Sequence, residues 1–229
     1  PRALGACDAA RAAKELSPAE AYRRAMELMW NYDLESARKH LEPWRVTCPW
    51  HAGAYAECAA LRVVLTGQRS EAAAALELVH AAELLGGDEL GVGMAHQLLR
   101  AELLLLRCGL QVLLGARLRA AFNLRQCWNA YRRLERHLAP DGAAPPAAEP
   151  APALGPGPDS GALALALPEE DLRGRLCFGL GLFYLATSLL PAGLCQLARL
   201  AGFVTHRHRG EAYLSECAER GLGPRATLA

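Results

Sequence analysis

The chain contains no isoleucine, and its only lysines, Lys14 and Lys39, stand against 23 arginines. Aromatic residues make up 6%. With β-branched residues also scarce, the side chains that favour strands are in short supply, and a sheet-built fold is not expected. An excess of charge is missing as well. The formal net charge of +1 supplies no global attraction for nucleic acid or an acidic membrane. No Cys-x-x-Cys pair occurs among Cys7, Cys48, Cys58, Cys108, Cys127, Cys177, Cys195 and Cys217. A secreted disulfide scaffold is shorter and denser in cysteine, so these residues read as reduced, mostly buried thiols of an intracellular protein. The chain opens Pro1-Arg2-Ala3 with no signal-type hydrophobic segment, and no targeting peptide is visible.

Signatures of catalysis are equally absent. There is no Gly-x-x-x-x-Gly-Lys loop to cradle phosphate and no Gly-x-Ser-x-Gly elbow to present a nucleophile. Acids such as Glu20, Glu27, Glu35 and Glu42 are scattered over helix surfaces in a solubility pattern. Cys48 and His51 stand near Cys58, but zinc takes four ligands, usually from two close pairs, and His206 and His208 are remote in sequence. They read as structural cysteines and surface histidines. No metal, no cofactor and no enzymatic activity is expected.

What is present forms helices. Ala, Leu and Arg are good helix formers, and 229 residues with 52% hydrophobic content can bury a sizeable core. Residues 1–16 read as a frayed amino-terminal segment. Ser17-Pro18-Ala19-Glu20 then combines a cap, a proline at the first helical position and an early acid, a helix start. Asn31 and Tyr32 interrupt the apolar spacing, and Leu34, Ala37 and Leu41 share one face of a second helix closed by Pro43 and Pro49. A second pair runs over Ala52–Thr66 and Ser70–Leu85, broken at Gly67. Ala59 follows Ala25 by one period of the tetratricopeptide repeat, about 34 residues. The third pair is Met94–Gly115, with Leu99, Leu103, Leu106, Leu110 and Leu113 as its apolar stripe and Arg100, Arg107 and Gln111 on another face. Its second member, Leu118–Leu138, buries Ala121, Leu124, Trp128, Tyr131, Leu134 and Leu138 on a 3- and 4-residue rhythm.

The chain thus reads as an all-α protein of stacked helix hairpins, an α-solenoid, with three pairs over 17–138. Residues 139–168 hold eight of the fourteen prolines and form a disordered Pro/Ala/Gly-rich linker. Helix resumes over 169–229, from Glu169 to Leu190, again at Gly193–Ala201, and finally at Arg209–Arg220.

Several stretches resemble a known family. The run from Cys177-Phe178-Gly179-Leu180-Gly181-Leu182-Phe183 through Leu189-Leu190-Pro191, Leu200-Ala201-Gly202-Phe203 and Arg209-Gly210 resembles the central segment of the tetratricopeptide repeat protein 39 family. Leu34–Arg38 with Leu41–Trp44 resembles that family's first repeat, and Leu124–Tyr131 its basic, aromatic-bearing helix. The Trp-x-x-Tyr and Phe-Gly-x-Gly-Leu-Phe forms are most similar to the C-type branch. The resemblance covers most of Pro18–Leu228. It implies a cytoplasmic, non-catalytic helical repeat acting through protein contacts, with links to lipid homeostasis. Family members are longer, so the chain is expected to lack further repeats, leaving Phe203, Tyr213 and Leu214 without the next repeat to cover them.

As a scaffold, such a stack presents its concave surface to a peptide or helix. Tyr22, Tyr55 and Arg62 fall on first-helix positions expected to line that groove. The arginine-rich helix, with Arg125, Arg132 and Arg133, is a second candidate for an acidic partner or phospholipid head groups, against the plainer reading of a solvated face. Nucleic acid has no further support. An alternative is a membrane-associated helical protein anchored through 176–198, an uncharged run whose length suffices to span. Gly179, Gly181 and Pro191 divide that run, and a buried helix pair with glycines at its close contacts, or a peripheral membrane contact, are the other readings.

Overall fold

A computed structural model describes residues 16–86, 93–136, 167–188 and 207–219. Most of the frayed segment 1–16, nearly all of the linker 139–168 and the helix expected at Gly193–Ala201 lie outside the described residues. Eight α-helices and one 3-10 turn, with no strand, make up the described residues. They are α1 Pro18–Trp30, α2 Leu34–Leu41, α3 Pro49–Thr66, α4 Ala72–Gly86, α5 Met94–Leu113, α6 Arg117–Glu135, α7 Glu169–Ser188 and α8 Arg207–Glu219.

Local chemistry sets most boundaries. Ser17 and Glu20 form a capping box: Ser17 Oγ accepts from the Glu20 N–H and the Ser17 N–H donates to Glu20 Oε2 at 3.0 Å, which satisfies two orphan donors of α1. Asp33 caps α2 through the Ser36 N–H at 3.1 Å. Gly67 ends α3 at φ 68°, a left-handed stop that glycine adopts without steric cost. Pro49 proves to be the first residue of α3 rather than the end of the preceding helix. Proline has no N–H to lose there, and its fixed φ suits a first turn.

The helices pair as α1/α2, α3/α4, α5/α6 and α7/α8, and each hairpin packs on the next. Two hydrophobic clusters result, one built around α1–α4 and one around α6–α7, and α5 belongs to both. Leu99, Leu103 and Leu110 enter the first cluster, while Leu98, Ala101 and Leu104 enter the second. A helix buried on two sides needs two stripes, so the single stripe expected from sequence is only half of its core face. Gln111, expected on the polar face, is buried and accepts from Asn123 Nδ2 at 2.8 Å. The phase of α6 follows from this pair. Ala120, Asn123, Cys127, Tyr131 and Leu134 face inward, whereas Ala121 is exposed rather than buried.

The Phe-Gly-x-Gly-Leu-Phe run lies within α7. A Cβ on Gly179 would come within 2.5 Å of the Tyr131 hydroxyl on α6. One on Gly181 would stand 2.6 Å from Leu214 Cγ and 3.0 Å from the Gly210 carbonyl on α8. These glycines do not divide α7 but let it approach α6 and α8 closely, and the second helix of the expected pair lies outside the described residues. Tyr213 and Leu214, expected to await a following repeat, are half-buried against α7: Tyr213 stacks on Tyr184 with centroids 6.2 Å apart, and Leu214 fills the space beside Gly181, while Phe203 lies outside the described residues. The described cysteines, Cys48, Cys58, Cys108, Cys127, Cys177 and Cys217, are free and buried. Burial pushes the Cys58 and Cys108 thiols up to about 12.

One substitution therefore has opposite effects at two helical glycines. Gly109 on α5 has nothing within 4 Å of a built Cβ, so Gly109→Ala is expected to raise stability by about 0.5–1 kcal/mol. At Gly210 the new methyl meets backbone, the Gly181 carbonyl at 3.0 Å and the Leu185 nitrogen at 3.2 Å, and Gly210→Ala is expected to cost about 1–3 kcal/mol. Denaturant unfolding of the two variants checks this, and a gain in stability at Gly210 would rule out the close α7–α8 approach.

Candidate functional site

The first helices of the hairpins, α1, α3 and α5, carry the groove-facing positions of a repeat stack, and α7 lies against them. Its Arg175 is buried and reaches all three. The guanidinium donates to both Glu102 carboxylate oxygens on α5, the Nε–Oε1 bond being 3.1 Å. It also donates to the Tyr22 hydroxyl on α1, and Arg175 Cζ stands 4.8 Å from the Trp50 ring centroid on α3. Burial opposes the charge on Arg175, but the Glu102 carboxylate and the Tyr22 oxygen more than offset it and raise the pKa. Phe178 adds an edge contact to Trp30, centroids 6.0 Å apart.

This arrangement decides where the sequence-derived groove residues fall. Tyr22 is 3% exposed beneath Arg175. Tyr55 is buried at 7%, its hydroxyl accepting from Arg38 Nη2 at 2.6 Å and its ring lying under Arg38 and Arg45. Both were expected on an open surface. Aromatic side chains with one polar tip are equally suited to a core that supplies a partner for that tip. Arg62 is half-buried and pairs with Glu71, Nε–Oε2 2.9 Å. His51, read as a surface histidine, is fully buried and donates through Nε2 to the Pro18 carbonyl at 3.0 Å. Burial holds its pKa below 6.5. Among the described residues no group of three or more His, Cys, Asp or Glu side chains is placed to hold a metal ion.

The run 176–198 enters the same core for its first part. Leu176, Leu180, Phe183 and Tyr184 are buried with Trp128 and Tyr131 of α6, Trp128 stacking on Phe183 at 5.3 Å. Residues 189–198 lie outside the described residues. No described helix is long and apolar enough to cross a membrane.

The arginine-rich helix behaves differently. Arg125, Arg132 and Arg133 are all exposed on α6, and sequence spacing alone brings them together. Between α5 and α6 lies an open cleft of about 330 Å³ lined by Gln97, Arg100, Leu104, Gln126, Asn129 and Arg133. Gln97, Arg100 and Gln126 escaped sequence reasoning, because only an antiparallel α5–α6 pairing brings the start of one helix beside the end of the other. From Leu103 to Leu134 the chain holds six arginines and no acid. Arg107 is committed to Glu83 on α4 at 2.8 Å. Among the described residues, Arg100, Arg125, Arg132 and Arg133 have no carboxylate partner within salt-bridge distance. The next acid, Glu135, accepts from the Tyr213 hydroxyl at 2.6 Å and sits 3.5 Å from Arg209.

In the sequence Arg175 stands immediately before the apolar run 176–198. Its signal was the lone acid Glu102 set beside Leu103–Leu106, an ionised group in a stripe that had to be buried. Removing one member should be worse than removing both. Arg175→Met is expected to cost about 3–5 kcal/mol by leaving Glu102 buried and unpaired. The double variant Glu102→Leu/Arg175→Met should be more stable than either single variant. Chemical denaturation tests the ordering, and a single Arg175→Met as stable as the parent would remove the pair from its central place.

The profile of the family described as Iml2/Tetratricopeptide repeat protein 39 matches residues 90–228. No solved structure matches the chain.

Proposed function

The chain belongs to the Iml2/tetratricopeptide repeat protein 39 family, and from that membership we propose that it is a non-catalytic scaffold that binds protein partners on the exposed α5–α6 face. The observation that carries the reading is the coincidence of a cleft and uncompensated charge. Arg100 and Arg133 line the cleft, and Arg125 and Arg132 extend it along α6. The side formed by α1, α3 and α5 is covered by α7 through Arg175, which directs a partner outward. An open, polar-lined cleft differs from the enclosed apolar pockets that suit small molecules. Amide groups of Gln126 and Asn129 beside arginines are groups that orient a polypeptide. On family resemblance alone, the pathway proposed for this scaffold is lipid homeostasis, and its place of action the cytoplasm.

Charge reversal separates this surface from the rest. Arg100→Glu with Arg133→Glu should reduce recovery of the co-purifying proteins by about tenfold, equivalent to 1.4 kcal/mol. Arg23→Glu with Arg24→Glu on α1, also exposed, should leave it unchanged. Quantitative affinity purification of the full chain reads both. Equal loss in the two variants, or no loss in either, would dismiss the α5–α6 face as the contact surface.

A further inference from the structure

The exposed face of α6 is divided end from end. Leu118, Phe122, Arg125, Asn129, Arg132 and Arg136 recur at spacings of three and four and form one stripe. Its start is apolar: Leu118 is 89% exposed and Phe122 66%. Val112 and Leu114 at the end of α5 are exposed beside it across the turn. Single exposed apolar residues are ordinary, but here four large ones gather at one hairpin end, with Arg117 and Arg119 exposed among them and no acid. Beyond Phe122 the stripe turns basic.

Resting on the scaffold reading above, we infer that this face docks an acidic, amphipathic segment of a partner protein. The segment lies lengthwise, with apolar side chains on Leu118 and Phe122 and carboxylates on Arg125, Arg132 and Arg133. From Leu118 to Arg136 the stripe is about 27 Å long at 1.5 Å per residue, which a partner helix of about five turns matches. Three plainer accounts are weaker. Arginines in the last turn complement the α6 dipole, which covers Arg132 and Arg133 but neither Arg125 nor the apolar end. An interfacial membrane helix separates apolar and basic residues onto different faces along its length, whereas here they share one face in succession. The same face of a second copy would bring no carboxylate to these arginines.

The test places a photo-crosslinking benzoylphenylalanine at Phe122 or at Arg133 of the full chain in intact cells, and the captured peptides are sequenced. Both positions should capture one partner segment, rich in Asp and Glu, with apolar residues at the Phe122 adduct. Arg125→Gln with Arg132→Gln should lower the Phe122 adduct yield by about tenfold while the melting curve stays unchanged, since both side chains are exposed. A neutral or basic segment, a lipid adduct, a second copy or this chain's own residues 139–166 at the adduct would overturn the inference, as would a yield indifferent to the arginines. Capture of a neutral protein segment leaves the scaffold reading standing. Capture of no protein from either position sinks both.

Discussion

Everything else in this structure is arranged around one buried cation. Arg175 gathers a carboxylate from α5, a hydroxyl from α1 and an aromatic face from α3, so a single side chain of the last hairpin touches the first helix of each earlier one. A pair buried this completely repays its desolvation only when every donor is used. The fork of the guanidinium suits that demand, because its donors lie in one plane and reach different helices together. The α7 helix cannot be slid by a turn or rotated without stranding Glu102. Hydrophobic contacts alone tolerate such shifts, so the ion pair specifies position where the leucines supply most of the stabilisation, roughly 1.5–3 kcal/mol for each fully buried side chain.

The same constraint shapes the surface. With α7 held against α1, α3 and α5, the aromatic residues that would otherwise line a groove become core, and Tyr22 and Trp50 exchange solvent for Arg175. The α5/α6 hairpin keeps an exposed face on α6. Its α5 helix is fixed by two hydrophobic clusters at once, which makes it a rigid base for whatever α6 presents. A docking face on such an element loses little freedom on binding, and less affinity is spent on ordering.

The sequence was informative wherever one residue type had one physical use. Ser17, Pro18 and Glu20 announced a capped helix, Gly67 a break between helices, and the glycines of Phe178–Phe183 close packing, and the structure has all three. Ambiguity entered where a residue fits two environments. Ala121 and Ala120 are equally acceptable at a core position, and only the buried Gln111–Asn123 bond selects the phase that points Ala120 inward. Tyr22, Tyr55 and His51 can face the surface or a core, and the decision rests with Arg175, Arg38 and the Pro18 carbonyl, each on another helix. Of the proposed contact residues, Arg125, Arg132 and Arg133 were legible because one helix brings them together. Gln97 and Arg100 required knowing which helix lies beside α6.

The arginines themselves divide by this logic. Where the fold needs one, it supplies a carboxylate at hydrogen-bond distance: Arg107 has Glu83, Arg173 has Glu216, Arg175 has Glu102. A chain that so often pairs its inter-helix arginines leaves those of α6 beside a stretch from which acids are missing altogether. Exposed pairs are worth little, about 0–1 kcal/mol, so adding a glutamate to α6 would have cost the fold almost nothing. The lack of any acid from Leu103 to Leu134 leaves that face with a charge of one sign, and stability gives no reason for it. A partner that brings its own carboxylates does.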